Sequence, residues 1–77
     1  MPTVLRIAGF RFFFYSNEGS EPPHIHVERG DEAAKFWLEP VELADSIGFS
    51  AKEINLLRRL VIEHQATLLQ AWHDYFN

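Results

Sequence analysis

EPPHIHVERG, residues 21–30, alternates His24, His26 and Glu28 with Ile25 and Val27. That period is the mark of a half-buried strand, apolar on one face and polar on the other. Pro22-Pro23 stiffens the approach and biases it toward extended backbone. Gly30-Asp31 supplies a turn behind it. On either side, TVLRI (residues 3–7), FRFFFYS (10–16) and AAKFWL (33–38) carry the β-branched and aromatic residues that suit strands. Ala8-Gly9 marks the first turn, and Asn17 to Pro23 make a loop rich in turn formers.

The period then changes. Pro40 suits the first position of a short helix, with Gly48 as its stop. Ser50-Ala51-Lys52-Glu53 has the spacing of a capping box and opens a helix over residues 51–76. The fold expected is a single α+β domain over residues 1–77. It has a four-stranded antiparallel meander, a short helix, and one long C-terminal helix packed on one face.

At about 100° per residue, Ile54, Leu57, Val61, Leu68, Trp72 and Tyr75 share one face of that helix, flanked by Leu60 and Ala71. His64 lies at the stripe's edge, and His73 falls on the opposite side. Ile62, Leu69 and Phe76 recur every seven residues beside the stripe. They widen the apolar arc, either as further core or as an edge that meets a protein partner or a second copy. In the sheet, Leu5, Ile7, Phe10, Phe12, Phe14, Ile25, Val27, Phe36 and Leu38 form the set that belongs under the helix. Arg6, Arg11, Phe13, Tyr15, His24, His26, Glu28, Lys35 and Trp37 form the opposite set.

Composition bounds the function. The chain has 77 residues, of which 47% are hydrophobic and 14% aromatic, so it is globular rather than disordered. A chain this short buries only about 60–65% of its unfolded surface, which limits its core. With no cysteine, thiol catalysis, thiolate metal sites and disulfides are excluded. MPTVLRIAGF is not a secretory signal, and no apolar run reaches the roughly 20 residues of a membrane helix. A cytoplasmic location is expected, without membrane contact. The net charge of −4 argues against general adhesion to nucleic acid.

The polar sheet face carries the functional reading. Stackable Tyr15 and Trp37 beside Arg6, Arg11 and Lys35 are what single-stranded RNA needs: bases stack on rings while cations meet phosphates. His24 and His26 add groups that titrate near neutrality and can move protons. Together they suit a small metal-independent ribonuclease, in which one group deprotonates the 2′-hydroxyl and another protonates the leaving oxygen. The same residues also suit a plain solvated sheet face, with Arg6, Arg11 or Lys35 paired to Glu28. As a metal motif His-x-His supplies only two ligands, where a catalytic zinc takes three and a structural one four. The remainder would have to come from Glu21, Glu28 or His73. No cofactor and no native metal are expected.

MPTVLRIAGFRFFFYSNEGSEPPHIHVERG, AKFWLEPVELADS and LLQAWHDYF together resemble the small prokaryotic family catalogued as domain of unknown function 4160, nearly end to end. The family has no assigned activity, so the resemblance implies no site residues. It does imply company, since such proteins are often encoded beside another small domain in an arrangement like a toxin–antitoxin pair. The leading expectation is a component of such a module with an RNA-binding or RNA-cleaving sheet face. The alternative is a non-enzymatic module that holds a partner protein by the sheet face or helix edge, and a metal-dependent enzyme comes third.

Overall fold

The alternating first half of the chain builds a five-stranded antiparallel sheet in simple sequential order. A computed structural model describes residues 3–76. The strands are β1 (Thr3–Ile7), β2 (Phe10–Phe13), β3 (His24–Arg29), β4 (Glu32–Leu38) and β5 (Val41–Ile47). Two helices follow, α1 (Ala51–Glu63) and α2 (Gln65–Phe76). The α+β class and the first four strands are as the sequence predicts, although β2 ends at Phe13 rather than Ser16.

Ala8 and Gly9 are the whole β1–β2 connection, since Ile7 pairs with Phe10. Both have positive φ, 52° and 83°. Two left-handed residues give the primed turn whose twist matches the flanking strands. Gly9 adopts that conformation freely, whereas Ala8 carries a Cβ that the left-handed region penalises.

Two predicted elements are corrected. The short helix placed from Pro40 to Gly48 is strand β5. Glu39 and Pro40 turn the chain so that Val41 pairs with Leu38, and β5 runs back along β4. Unpaired backbone groups on β4 need partners, and satisfying that ladder outweighs a weak local helix signal. The expected long helix is two helices separated at His64, whose backbone (φ −106°, ψ 16°) departs from helical values. Just past the break, the Gln65 side-chain amide donates to the Leu38 carbonyl at 2.6 Å, pinning the joint to the end of β4. The bend lets both helical segments keep their apolar faces on the sheet.

The core lies between the sheet and the helices. Phe10, Phe12, Phe14, Ile25, Val27, Phe36 and Leu38 meet Ile54, Leu57, Val61, Leu68 and Trp72, all buried. Each fully buried side chain of this kind is worth about 1.5–3 kcal/mol relative to exposure. Tyr75, expected in this stripe, is 49% exposed and meets Phe14 and Phe76 edge-on at the rim of the core. Phe76 instead packs against Phe14 and Trp72, with ring centroids at 5.3 and 4.3 Å.

The predicted capping box is present. Glu53 N–H donates to Ser50 Oγ at 3.1 Å, and Ser50 N–H donates to Glu53 Oε1 at 3.0 Å. Glu53 also pairs with Arg29, which itself holds Glu32 at 2.7 Å and lies over the Phe10 ring. The start of α1 is thereby tied to the β3–β4 hairpin.

Replacing Ala8 by Asn, which tolerates the left-handed region, should stabilise the fold by about 1 kcal/mol. A rise in the urea midpoint with unchanged slope is the check. The Ser50 backbone N–H and the Arg29 guanidinium hold the Glu53 carboxyl below its ordinary value. Its contribution is therefore present above about pH 4.3 and lost as pH falls through the depressed value. The stability gap between wild type and Glu53→Gln should be open at pH 7 and close progressively in acid, read from denaturation midpoints.

Candidate functional site

Alternation along β2, β3 and β4 sends Phe13, His26, Lys35 and Trp37 to the face away from the helices. His26 pairs across the sheet with Phe13 on one side and Lys35 on the other. Phe13 is only 4% exposed although no helix covers it. His26 stacks on it at 5.4 Å and 25°, the Arg11 guanidinium sits 4.3 Å above it, and Tyr15 meets it edge-on. A small aromatic cluster therefore occupies this face.

The loop between β2 and β3 folds back over that cluster. Glu18 N–H donates to the Tyr15 carbonyl at 3.3 Å, and Tyr15 N–H donates to Glu18 Oε1 at 2.9 Å. Glu21 N–H then donates to the Glu18 carbonyl at 3.1 Å. Gly19 lies so close to Phe76 that a Cβ there would stand 2.6 Å from the ring, so this approach requires glycine. The outcome is that Glu18 projects onto the two histidines of β3.

His26 Nε2 donates to both Glu18 oxygens, at 3.0 and 3.1 Å. Burial pushes the Glu18 carboxyl up, but the Tyr15 backbone N–H and the two imidazoles outweigh it and hold the group below its ordinary value. The carboxylate is therefore ionised at neutral pH, and it fixes the His26 ring. His26 remains partly accessible, with its side chain 19% exposed. Beside it opens a groove of about 210 Å³ lined by Lys35, Asp45 and Ser46 among others.

His24 differs. It is fully buried at the start of β3, with its ring 4.7 Å from Trp72, 5.7 Å from Trp37 and 5.2 Å from His26. Its Nδ1–H donates to the Pro22 carbonyl at 3.0 Å. Its Nε2 lies 3.0 Å from Glu18 Oε1, off the direction a hydrogen bond requires, and has no hydrogen-bond partner among the described residues. A group buried so completely cannot touch a bulky substrate.

Two of the three cations expected to meet phosphates, Arg11 and Lys35, are already engaged. Arg11 donates to Glu28 at 2.7 Å and Lys35 to Glu21 at 2.8 Å, while Lys35 also sits 4.5 Å over the Trp37 ring. The Lys35 ammonium holds the Glu21 carboxyl below its ordinary value. Arg6 and Tyr15 are exposed. On the helices, Ile62 is 54% exposed, whereas Leu69 and Phe76 pack against the core. Glu18 is the site residue that sequence reasoning missed. It lies six positions before His24 in a loop, and no periodic pattern marks where a loop side chain returns.

A family model described as a domain of unknown function, DUF4160, matches residues 9–73, and the chain belongs to that family. No curated protein and no solved structure matches it. No helix among the described residues is long and apolar enough to cross a membrane.

If Gly19 seats the loop as described, Gly19→Ala should force the loop or the Phe76 ring aside and loosen Glu18 from both histidines. The check is a lowered melting temperature together with displaced His24 and His26 ring resonances. The His73 ring, exposed on α2, should serve as the unmoved reference.

Proposed function

We propose that the protein is one component of a toxin–antitoxin-like module, and that its outer sheet face binds RNA and cleaves it with His26 as the proton-transfer group. The observation that carries the reading is the Glu18–His26 pair, an ionised carboxylate orienting an imidazole that solvent can reach. That arrangement suits general acid–base catalysis, because the carboxylate sets the orientation of the ring. Tyr15 and Trp37 offer rings for stacking, and a groove opens beside His26 and Lys35. In the reaction, His26 takes the 2′-hydroxyl proton and the oxygen attacks the adjacent phosphorus. The bond to the 5′ oxygen breaks, and that oxygen receives the proton. The products are a 2′,3′-cyclic phosphate and a 5′-hydroxyl end.

Arg11 and Lys35 would reach phosphate by exchanging out of their pairs with Glu28 and Glu21. Such partly exposed pairs are worth only about 0–1 kcal/mol, so the exchange is inexpensive. The same pairing favours a second reading, in which the neutralised face or the exposed Ile62 and Tyr75 hold a partner protein without chemistry. Family membership accords with either role, since both place a small protein beside a co-encoded companion.

Expression alone should arrest growth, and co-expression of the neighbouring gene should relieve it. His26→Ala should fold, abolish the arrest and slow cleavage by about 100-fold or more, the scale of a lost acid–base group. Unchanged toxicity in a folded His26→Ala variant removes His26 from the mechanism. Co-purification with the neighbour, unaffected by His26→Ala and without toxicity, favours the interaction module.

A further inference from the structure

We propose that Glu18, His24 and His26 form a three-ligand site for a divalent transition cation of the zinc type. Their candidate ligand atoms all lie within 4.8 Å of one another. The Glu18 carboxylate sits between the imidazoles, 3.0 Å from His24 Nε2 and 3.0 Å from His26 Nε2. Ligands about 2.0–2.2 Å from a tetrahedral zinc are separated by roughly 3.4 Å, so a small outward movement of Glu18, with the proton on His26 Nε2 released to solvent or moved to Nδ1, makes room for the ion.

His24 points to a ligand independently of that clustering. Its Nδ1 bonds a carbonyl, which only accepts, so Nδ1 carries the proton. In the neutral ring Nε2 is then a bare lone pair. It is fully buried, aimed into the cluster and faces a carboxylate oxygen that is also an acceptor. With Nε2 deprotonated, the two are acceptors 3.0 Å apart, a contact that a proton on Nε2 or a bound cation relieves. The bond from Nδ1–H to a backbone carbonyl is also the outer contact that metal-binding imidazoles commonly make, fixing both tautomer and ring plane.

The donor set selects the ion class. Two imidazoles and one carboxylate suit zinc and its neighbours, whereas magnesium and calcium call for oxygen ligands. The rings of Phe13, Trp37 and Trp72 crowd the histidines, which favours four-coordination over six. Three protein ligands leave the fourth position to water, the pattern of catalytic rather than structural zinc. The inference does not rest on RNA. If the RNA reading also holds, a bound hydroxide would take the base role given above to His26.

Purified, chelator-treated protein titrated with zinc chloride should bind one equivalent by native mass spectrometry and calorimetry. Its melting temperature should rise with zinc and stay unchanged with magnesium. Cobalt should give the intense visible absorption of a four-coordinate N,O site, a readout that needs no variant. Glu18→Gln, at a partly exposed position, should remain folded and bind zinc at least tenfold more weakly. His73→Ala should bind as wild type does. Absence of the tetrahedral cobalt spectrum, or zinc affinity unchanged in both Glu18→Gln and His26→Ala, overturns the site. Zinc binding without RNA cleavage would retain the site and discard the ribonuclease, and cleavage by zinc-free protein that binds no zinc would do the reverse.

Discussion

Period-two alternation places Phe13, His26 and Trp37 on the side of the sheet away from both helices, and among the described residues no second helical layer covers them. The arrangement of the outer face follows from that shortage. The loop between β2 and β3 does part of the covering. Arg11 and Lys35 do the rest, laying their apolar stems and charged heads over Phe13 and Trp37. Loop, rings and cations are thus one packing solution, and the carboxylates Glu18, Glu21 and Glu28 come with it as the counter-charges. The acidic net charge and the presence of Arg11 and Lys35 on this face are therefore compatible.

The same economy explains the loop's sequence. Glu18 can reach the histidines only if the next residue passes directly against Phe76, and only glycine fits there. Phe76 is itself held by Trp72 and Phe14. Helix α2 therefore positions the site from the far side of the sheet, through the loop it supports. Its residues Trp72 and Phe76 serve the core and the outer cluster at once, because Trp72 also packs on His24.

Much of this was legible in the residues, and the exceptions have physical causes. HIHVER alternates, and its period places Ile25 and Val27 in the core and His26 outside, but it fails for His24, whose ring is buried against Trp72 at the start of β3; the capping box at Ser50 fixes where α1 begins. Strand β5 was hidden because its register slips: Lys35 faces Asp45 and Phe36 faces Leu43, leaving Ala44 as an extra residue. The slip breaks the alternation, and most of β5 is exposed on both sides. The break at His64 carries no glycine or proline, being a tertiary response to the Leu38 carbonyl. Tyr75 was misplaced because a straight-helix projection accumulates error past such a break. Of the candidate site, His24 and His26 stood out, whereas Glu18 depends on a loop closure that only three-dimensional packing determines.

The burial of His24 bears most directly on purpose. A buried polar atom without a partner costs about 1–3 kcal/mol, a large part of the roughly 4–12 kcal/mol that a chain of this size can hold. An apolar side chain would fill the space between Trp37 and Trp72 without that cost. The imidazole is nevertheless fully enclosed, its Nδ1 satisfied by Pro22 and its Nε2 turned toward Glu18. One nitrogen anchored and the other left open is the arrangement of a ligand held ready. A merely tolerated polar residue would have relaxed toward water or a second hydrogen bond. His26 shares the carboxylate but keeps an accessible edge, so the pair divides into a fixed inner donor and an outer one that solvent can reach. That asymmetry gives a bound cation a protected side and an open side, as chemistry at a metal requires.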